Sequence, residues 1–272
     1  ENLRWLSLAG NKISQLGPLA NLSAITNLYL GGNRIQDLTP LSGLNRLRGL
    51  ELQNNQISNL DGLQNLGGLV ALHLHDNLIT DITGLRFLLN LEVLTLGNNQ
   101  IANIDTLALF KGLVHLELGG NLLTGIEPLG GLANLQRLSI WGNQVTQLDP
   151  LAGLIRLQYL DISGNGISNI NVLTGLVNLT TVQMGDNEVR SLAALAGLPK
   201  LDVVMLPNNK VSALSALVAN TAMGVNRYGQ DQVDVRGNPL SQEVLCYDIP
   251  ALLERDIIVL YDGYCDLYGI TY

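Results

Sequence analysis

Residues 28–47 read LYLGGNRIQDLTPLSGLNRL, and residues 138–157 repeat the same frame as LSIWGNQVTQLDPLAGLIRL. In both stretches, aliphatic residues surround one asparagine at a fixed spacing. That asparagine recurs every 22 residues, and an eleventh copy follows after 29 residues. The full set is Asn11, Asn33, Asn55, Asn77, Asn99, Asn121, Asn143, Asn165, Asn187, Asn209 and Asn238. A fixed period through most of a chain predicts a repeat architecture in which each unit stacks only on its neighbours.

Each repeat predicts a short strand, a turn and a return segment. Two aliphatic residues separated by one residue, such as Leu28 and Leu30, lie on one face of a strand. The asparagine follows where the chain must turn, and we expect its amide to bond backbone groups of that turn and of the next coil. Aliphatic residues three apart then suit a 3₁₀-like return. Prolines precede the leucine that opens this return in four of the repeats, at Pro18, Pro40, Pro128 and Pro150.

The overall composition excludes several classes of protein. The 272 residues are 47% hydrophobic and 14% charged, which is the reverse of a disordered chain. The formal net charge is -8, whereas nucleic-acid binders usually carry a basic excess. Polar residues interrupt every apolar stretch before it reaches the length of a transmembrane helix. We therefore expect no nucleic-acid partner and no membrane insertion.

The repeat frame, L-x-x-L-x-L-x-x-N-x-I-x-x-L-x-x-L-x-x-L, resembles the leucine-rich repeat family. Its period and its Pro-Leu return segments are similar to the 22-residue class, which includes the bacterial internalins, and the resemblance spans residues 3 to about 260. It implies an α/β fold, a right-handed solenoid with a concave parallel β-sheet, convex 3₁₀ or irregular segments and a C-terminal helix–strand cap. It also implies a bacterial protein, secreted or on the cell surface. A cytoplasmic regulatory role, as in eukaryotic relatives, stays open.

The period divides the chain into three predicted segments. Ten 22-residue repeats occupy 1–217, an irregular last repeat and a cap occupy 218–261, and a tail or linker occupies 262–272. The chain starts within a repeat, so we expect a fragment without its N-terminal cap. The second segment is similar to the terminal unit of many bacterial extracellular repeat proteins, with Ser241 capping a helix before a final strand. The alternative is that a loop over 222–232 binds a ligand.

Both cysteines, Cys246 and Cys265, lie at the C-terminal end of the chain. A disulfide between them would attach the predicted cap helix to the segment after the last strand, and it would suit an extracellular protein. Two free thiols are the alternative. The spacing does not match a zinc-binding pattern.

The sequence shows little that favours catalysis. It contains no G-x-S-x-G, no H-E-x-x-H and no glycine-rich phosphate loop that leads into a helix. An open sheet also lacks the closed pocket that excludes water during a reaction. We therefore predict a protein that is not an enzyme and that needs no cofactor.

The residues between the strand leucines predict a partner-binding patch on the concave face. Equivalent positions in neighbouring coils form columns about 4.8 Å apart. Trp, Tyr and Arg, which are enriched at binding hot spots, occur together in coils six to eight. The predicted patch comprises His115, Glu117, Arg137, Trp141, Tyr159 and Asp161.

A secondary concave patch is predicted from the earlier coils. It comprises Tyr29, Glu51, His73 and His75. Two imidazoles and a carboxylate can hold zinc, but no supporting outer shell of ligand partners is visible in the sequence. We therefore predict two solvated histidines beside a carboxylate and no metal site.

These patterns predict a non-enzymatic protein–protein interaction module that binds a macromolecular partner on its concave face. A protein with a basic patch would suit the acidic chain. One alternative is a carbohydrate-binding adhesin, in which Trp141 and Tyr159 stack on sugars while Glu117 and Asp161 bond hydroxyls. The other is a structural spacer within a larger surface protein.

Overall fold

The computed structural model describes residues 2–225 and 229–266. These residues form twelve strands of three residues each: β1 Trp5–Ser7, β2 Asn27–Tyr29, β3 Gly49–Glu51, β4 Ala71–His73, β5 Val93–Thr95, β6 His115–Glu117, β7 Arg137–Ser139, β8 Tyr159–Asp161, β9 Thr181–Gln183, β10 Val203–Met205, β11 Gln232–Asp234 and β12 Ile258–Leu260. The chain divides into two compact units, unit 1 (Glu1–Leu138) and unit 2 (Ser139–Tyr272).

The strands pair in parallel and in the order of the sequence. In unit 1, β1 to β6 pair consecutively, and Trp5 lies opposite Asn27 as the 22-residue period requires. In unit 2, β8 to β12 pair in the same way. Val203 of β10 lies opposite Gln232 of β11, a step of 29 residues, so the seven inserted residues leave the register intact. The predicted solenoid of parallel strands is confirmed.

The return segments are 3₁₀ helices in most coils, as the spacing predicts. They are Gly17–Leu19, Thr39–Leu41, Thr83–Leu85, Asp105–Leu109, Glu127–Gly131, Asp149–Gly153, Asn171–Gly175 and Ala193–Leu195. The coil after β3 instead makes turns around Gly62, whose φ is +98°. A Cβ on Gly62 would lie 2.2 Å from the Leu38 carbonyl oxygen, so only glycine allows this close approach.

Short polar side chains begin several of these return segments. Asp81 accepts hydrogen bonds from the backbone N–H and the hydroxyl of Thr83, each at 2.8 Å. These two bonds lower the pKa of the Asp81 carboxyl, because they stabilise its charged form. The same kind of turn is made by Asn59 and Asn103 with the backbone two residues later.

The core of each unit is a stack of fully buried aliphatic side chains. The central residue of nearly every strand points inward, for example Leu50 in unit 1 and Leu160 in unit 2. Phe110 replaces the leucine of the repeat frame in its coil and is the largest of the fully buried side chains. Aromatic residues make up only 4% of the chain, and regular layers of leucine and isoleucine fill the core instead.

The repeated asparagines form a ladder of side-chain bonds to the backbone. The Asn99 Nδ2 atom donates to the carbonyl oxygens of Leu74, Leu96 and Gly97 at 3.0–3.1 Å, and its Oδ1 atom accepts from the Ile79 N–H at 2.9 Å. The expectation of bonds to the next coil was wrong, because Leu74 and Ile79 belong to the preceding coil. Asn238 repeats the arrangement in spite of the longer spacing, accepting from the Val211 N–H at 3.0 Å.

The described part of the C-terminal region contains three short helical segments that contact one another. Helix α1 (Ser215–Ala219) packs against a π-helical turn at Val244–Asp248 and helix α2 (Ile249–Leu253). The Val244 N–H donates to Ser241 Oγ at 3.3 Å, in line with the predicted cap residue. Residues 226–228 of the predicted ligand loop and 267–272 of the predicted tail lie outside the described residues.

Arg255 and Asn220 hold the start of the insertion in place. The Arg255 guanidinium donates to the carbonyl oxygens of Val218, Asn220 and Met223. The Asn220 Nδ2 atom donates to the carbonyl oxygen of Leu195 at 2.7 Å. These bonds satisfy carbonyl oxygens at the ends of α1 and of the 3₁₀ helix Ala193–Leu195 and in the irregular segment that follows α1.

Cys246 and Cys265 form a disulfide, with their Cα atoms 4.8 Å apart. We expect reduction of this bond to lower the free energy of unfolding by about 3 kcal/mol, because a closed loop of this length restricts the unfolded chain. Urea denaturation with and without dithiothreitol measures the effect. A Cys246→Ser/Cys265→Ser variant serves as the control, since it should show the lower stability in both buffers. Equal stability of the oxidised and reduced wild type would contradict this prediction.

Candidate binding face

The strands present two residues each on the side opposite the core, and we call this side of a unit its strand face. In β4, for example, Leu72 is fully buried, whereas Ala71 and His73 are partly exposed. Residues two positions after each strand, such as His75, continue the same face. The strand face therefore carries side chains that are fixed by the sheet and available to a partner.

Two histidines of unit 1 converge on one hydroxyl group. The Nδ1 atoms of His73 and His75 lie 3.2 Å and 2.9 Å from Thr95 Oγ1 on the neighbouring strand. Thr95 was expected among the exposed residues, but it is buried beneath the two imidazoles. Burial lowers the pKa of His73, although the carboxylate of Glu51 on β3 acts in the opposite direction.

The side chains of His115 and Glu117 contact each other on β6 of unit 1. The His115 Nε2 atom lies 2.8 Å from Glu117 Oε1. This hydrogen bond lowers the pKa of the Glu117 carboxyl, and the other nearby histidines act in the same direction. The charges of both Glu51 and Glu117 act to raise the pKa of His73, so residues from the two predicted patches influence the same imidazole within unit 1.

The carboxylate of Glu51 is held by a neighbouring amide. The Gln53 Nε2 atom donates to Glu51 Oε2 at 3.2 Å. Gly31, on the preceding coil, leaves room for this amide, since a Cβ there would lie 2.6 Å from Gln53 Nε2. The glycine is therefore needed for the side-chain arrangement rather than for a turn.

An aromatic pair at the start of unit 1 extends the face. Trp5 contacts Tyr29, with ring centroids 5.2 Å apart, and Trp5 is 57% exposed. Tyr29 was among the predicted residues, whereas Trp5 was not. The signal for Trp5 was present, because it occupies the same column as His115 and Arg137.

The six residues of the predicted main patch belong to different units. His115, Glu117 and Arg137 lie in unit 1, whereas Trp141, Tyr159 and Asp161 lie in unit 2. In unit 1, the side chain of Arg137 is exposed at the start of β7, and its backbone N–H donates to the Val114 carbonyl oxygen at 3.1 Å.

Two of the three predicted residues of unit 2, Trp141 and Asp161, line a shallow depression. Trp141 is 41% exposed and borders a cavity of about 360 Å³ together with Asp161, Ser163 and Gln183. The Tyr159 hydroxyl donates to Gln183 Oε1 at 3.2 Å. Asp161, expected to be exposed, is buried and accepts a hydrogen bond from the Ser163 N–H at 3.0 Å. Asp161 therefore supports the backbone at Ser163, on the border of the same cavity as Trp141.

A second cavity in unit 2 lies beside the insertion. It measures about 440 Å³, and its lining includes Thr181, Lys200, Asp202 and Gln230. The Lys200 Nζ atom donates to Asn178 Oδ1 at 2.7 Å. Gln230 comes from the loop for which ligand binding was the alternative prediction, and residues 226–228 of that loop lie outside the described residues.

The described residues contain neither a metal-binding cluster nor a membrane-spanning helix. Over 2–225 and 229–266, no three His, Cys, Asp or Glu side chains are grouped so that they could hold a metal ion. Within the same ranges, no helix has the length and apolar character required to cross a bilayer.

Comparisons with known proteins agree with the repeat architecture. A family model described as Leucine Rich repeats (2 copies) matches residues 1–43, 23–65, 45–87, 67–109, 111–153, 133–176 and 155–197. No curated protein sequence matches the chain. The ectodomain of the plant membrane receptor kinase GASSHO1/SCHENGEN3 from Arabidopsis thaliana has a TM-score of 0.72 at 20% identity, covering 96% of this chain and 36% of that chain. This likeness shows a shared fold.

Two solved structures from Listeria monocytogenes are more similar in sequence. The internalin inlF is 29% identical with a TM-score of 0.81, over 97% of this chain and 82% of that chain. Internalin C2 is 35% identical with a TM-score of 0.64, over 68% of this chain and 81% of that chain. The leucine-rich repeat fold is in general a scaffold for protein–protein interaction. The repeats, the parallel strands with 3₁₀ returns and these likenesses together show that the chain belongs to the leucine-rich repeat family, as an internalin-like member.

Proposed function

We propose that this protein is a non-enzymatic module that binds another protein on its strand face. The observation that carries the proposal is the set of exposed aromatic and charged side chains, such as Trp5, Arg137 and Trp141, on the strands or two residues after them. The inward residues of β2 to β11 are fully buried. A face held by such a core is formed before the partner arrives, so binding loses little conformational entropy.

The structural comparisons also support a role in protein binding. The plant receptor ectodomain was solved in complex with CASPARIAN STRIP INTEGRITY FACTOR 2, so this fold presents a surface to a partner in at least that case. We further propose a bacterial protein that is secreted or on the cell surface, as internalin-like relatives are. The disulfide Cys246–Cys265 supports an oxidising compartment.

We also propose distinct roles along the chain. Residues 1–217 form the binding repeats, 218–261 act as a C-terminal cap, and 262–272 act as a tail or linker. The packing of α2 against β12 supports the cap, because it covers the last coil of unit 2.

Glycan binding in unit 2 is the second candidate. Trp141 stands at the edge of a cavity whose other lining residues include Asp161, Ser163 and Gln183. An exposed indole beside polar hydrogen-bonding groups suits stacking on a sugar ring. A glycan array separates this candidate from protein binding.

Affinity capture from host and source-organism extracts tests the main proposal. We expect an Arg137→Ala/Trp141→Ala/Tyr159→Ala variant to bind the captured protein at least about 100-fold more weakly than the wild type, since Trp, Tyr and Arg dominate hot spots. Isothermal titration with the purified partner measures the change.

The control is an Arg86→Ala/Phe87→Ala/Ile155→Ala variant. These three exposed residues follow the 3₁₀ return segments, and we call this part of each coil the return side. Phe87 and Ile155 are 53% and 55% exposed, so the control removes a comparable amount of apolar surface. We expect it to bind like the wild type, after circular dichroism shows that all variants fold. Loss of binding in the control alone would move the site to the return side and refute the proposal.

A further inference from the structure

All three histidines of the chain lie on the strand face of unit 1. His73 ends β4, His75 follows two residues later, and His115 begins β6. Histidine is the side chain whose ordinary pKa lies between pH 5 and 8, and both cysteines are held in the disulfide. Among the described side chains, a change of charge between pH 7.5 and 5.5 is therefore concentrated on this one face.

The imidazoles are close enough to one another to act together. The hydroxyl of Thr95 links His73 and His75, at 3.2 Å and 2.9 Å from their Nδ1 atoms. The charges of His75 and His115 both act on His73, so protonation of one imidazole opposes that of the next. The side chains of His75 and His115 are 33% and 28% exposed, which leaves them within reach of solvent and of a partner.

The charged groups around the histidines come from each neighbouring strand. Glu51 lies on β3, Asp76 follows His75 with its Oδ2 atom 3.9 Å from the imidazole Nε2, Glu117 lies on β6, and Arg137 begins β7. With neutral histidines, three carboxylates and one guanidinium give a net charge of -2. Three protonated imidazoles change that value to +1.

We propose that the strand face of unit 1 is a pH-switched docking surface for a protein segment that carries lysine or arginine. The segment binds while His73, His75 and His115 are neutral, and it is released as they gain protons. This inference rests on the proposed function, because it assigns the chemistry of the partner and the regulation of the same face.

The direction of the effect follows from the titration of the groups involved. The hydrogen bond from His115 lowers the pKa of Glu117, so its carboxylate remains charged throughout the window. Burial lowers the pKa of His73, so this imidazole is neutral at pH 7.5 and is protonated only at a lower pH than an ordinary histidine. Acidification therefore adds positive charge beside a Glu117 carboxylate that stays charged, and a cationic segment loses affinity as the pH falls.

A labelled peptide probes the switch directly. The probe is a tetramethylrhodamine-labelled octapeptide of alternating lysine and serine, and fluorescence anisotropy gives its Kd at pH 7.5 and 5.5 at constant ionic strength. We expect Kd to be about tenfold higher at pH 5.5, because the added charges lie within a Debye length of the probe. A His73→Gln/His75→Gln/His115→Gln variant should bind at pH 7.5 and show less than a twofold difference between the two pH values.

Charge variants show whether the peptide binds this face. We expect Glu51→Gln/Glu117→Gln to raise Kd at pH 7.5 by about tenfold. The matched control is Asp105→Asn/Glu127→Gln, which removes the same charge from unit 1 at the starts of two 3₁₀ helices. A similar loss in both pairs would show general attraction to an acidic protein and would overturn the inference.

The remaining outcomes separate the inference from the proposed function. If the histidine variant keeps the full pH dependence, the switch is refuted, while protein binding on the face stands. If the peptide does not bind the wild type at pH 7.5, the cationic partner is refuted. The capture experiment with the Arg137, Trp141 and Tyr159 variant then decides separately whether the strand face binds protein.

Discussion

Replacement of Asn99 by alanine is expected to lower the free energy of unfolding by about 2–4 kcal/mol. The substitution removes three donated bonds and one accepted bond at once. Asn99 is buried, so the Ile79 N–H loses its partner where water has little access. The three carbonyl oxygens each lose one bond but keep another donor, namely the side chains of Asn77 and Asn121 and the backbone N–H of Asp76. A buried N–H left without a partner costs about 1–3 kcal/mol, and the weakened bonding of the three carbonyl oxygens adds to that cost. Urea denaturation followed by circular dichroism measures the change.

Asn90→Ala is the matched control for this prediction. Asn90 is an exposed asparagine of unit 1 that donates to the Gly67 carbonyl oxygen at 2.7 Å. Its loss should cost less than about 1 kcal/mol, because water replaces the missing donor. If both substitutions lowered the free energy of unfolding equally, the burial of Asn99 would not explain how much its hydrogen bonds contribute to stability.

Phe110→Ala is expected to lower the free energy of unfolding by about 3–5 kcal/mol. Phe110 is fully buried in the core of unit 1. Removal of its ring loses apolar burial and leaves a cavity that the regular layers above and below cannot fill without disturbing their own packing. Differential scanning calorimetry should show a correspondingly lower Tm.

Phe110→Leu tests whether the cost arises from the lost volume. Leu88 and Leu132 occupy the equivalent positions in the neighbouring coils, so the substitution restores the residue of the repeat frame. We expect it to cost less than about 1.5 kcal/mol, because leucine refills most of the space. A cost as large as that of alanine would mean that the coil depends on the aromatic ring itself.

The candidate site was predictable residue by residue but not as an arrangement. Alternation along the strands identified His73, His75, His115 and Glu117 as residues of one face. The sequence divided them between two patches, because columns of residues do not show which side chains turn toward each other. The shared contact of two imidazoles with Thr95 depends on rotamers that only the packed sheet selects.

Asp161 and Trp5 also show that the repeat pattern does not determine how exposed a side chain is or which neighbour it contacts. The alternating pattern placed Asp161 on the exposed face, yet its bond to the Ser163 N–H draws the carboxylate down against the backbone. Trp5 lies in the same column as His115 and Arg137, but its contact with Tyr29 became evident only from their 5.2 Å separation. Exposure on a sheet is set by what neighbouring side chains cover, which a periodic pattern does not contain.

The sequence by itself determined the coils, their register and their core. A 22-residue period repeats the same local choices of strand, turn and return, and each coil meets only its neighbours, so local pattern and long-range contact coincide. The tertiary structure alone decided that the asparagine ladder bonds the preceding coil, that Cys246 and Cys265 are joined, and that the histidines of unit 1 share a hydroxyl. The physical reason is that a hydrogen bond or a disulfide depends on distances of a few ångströms between atoms of different coils, and those distances exist only after the coils have stacked.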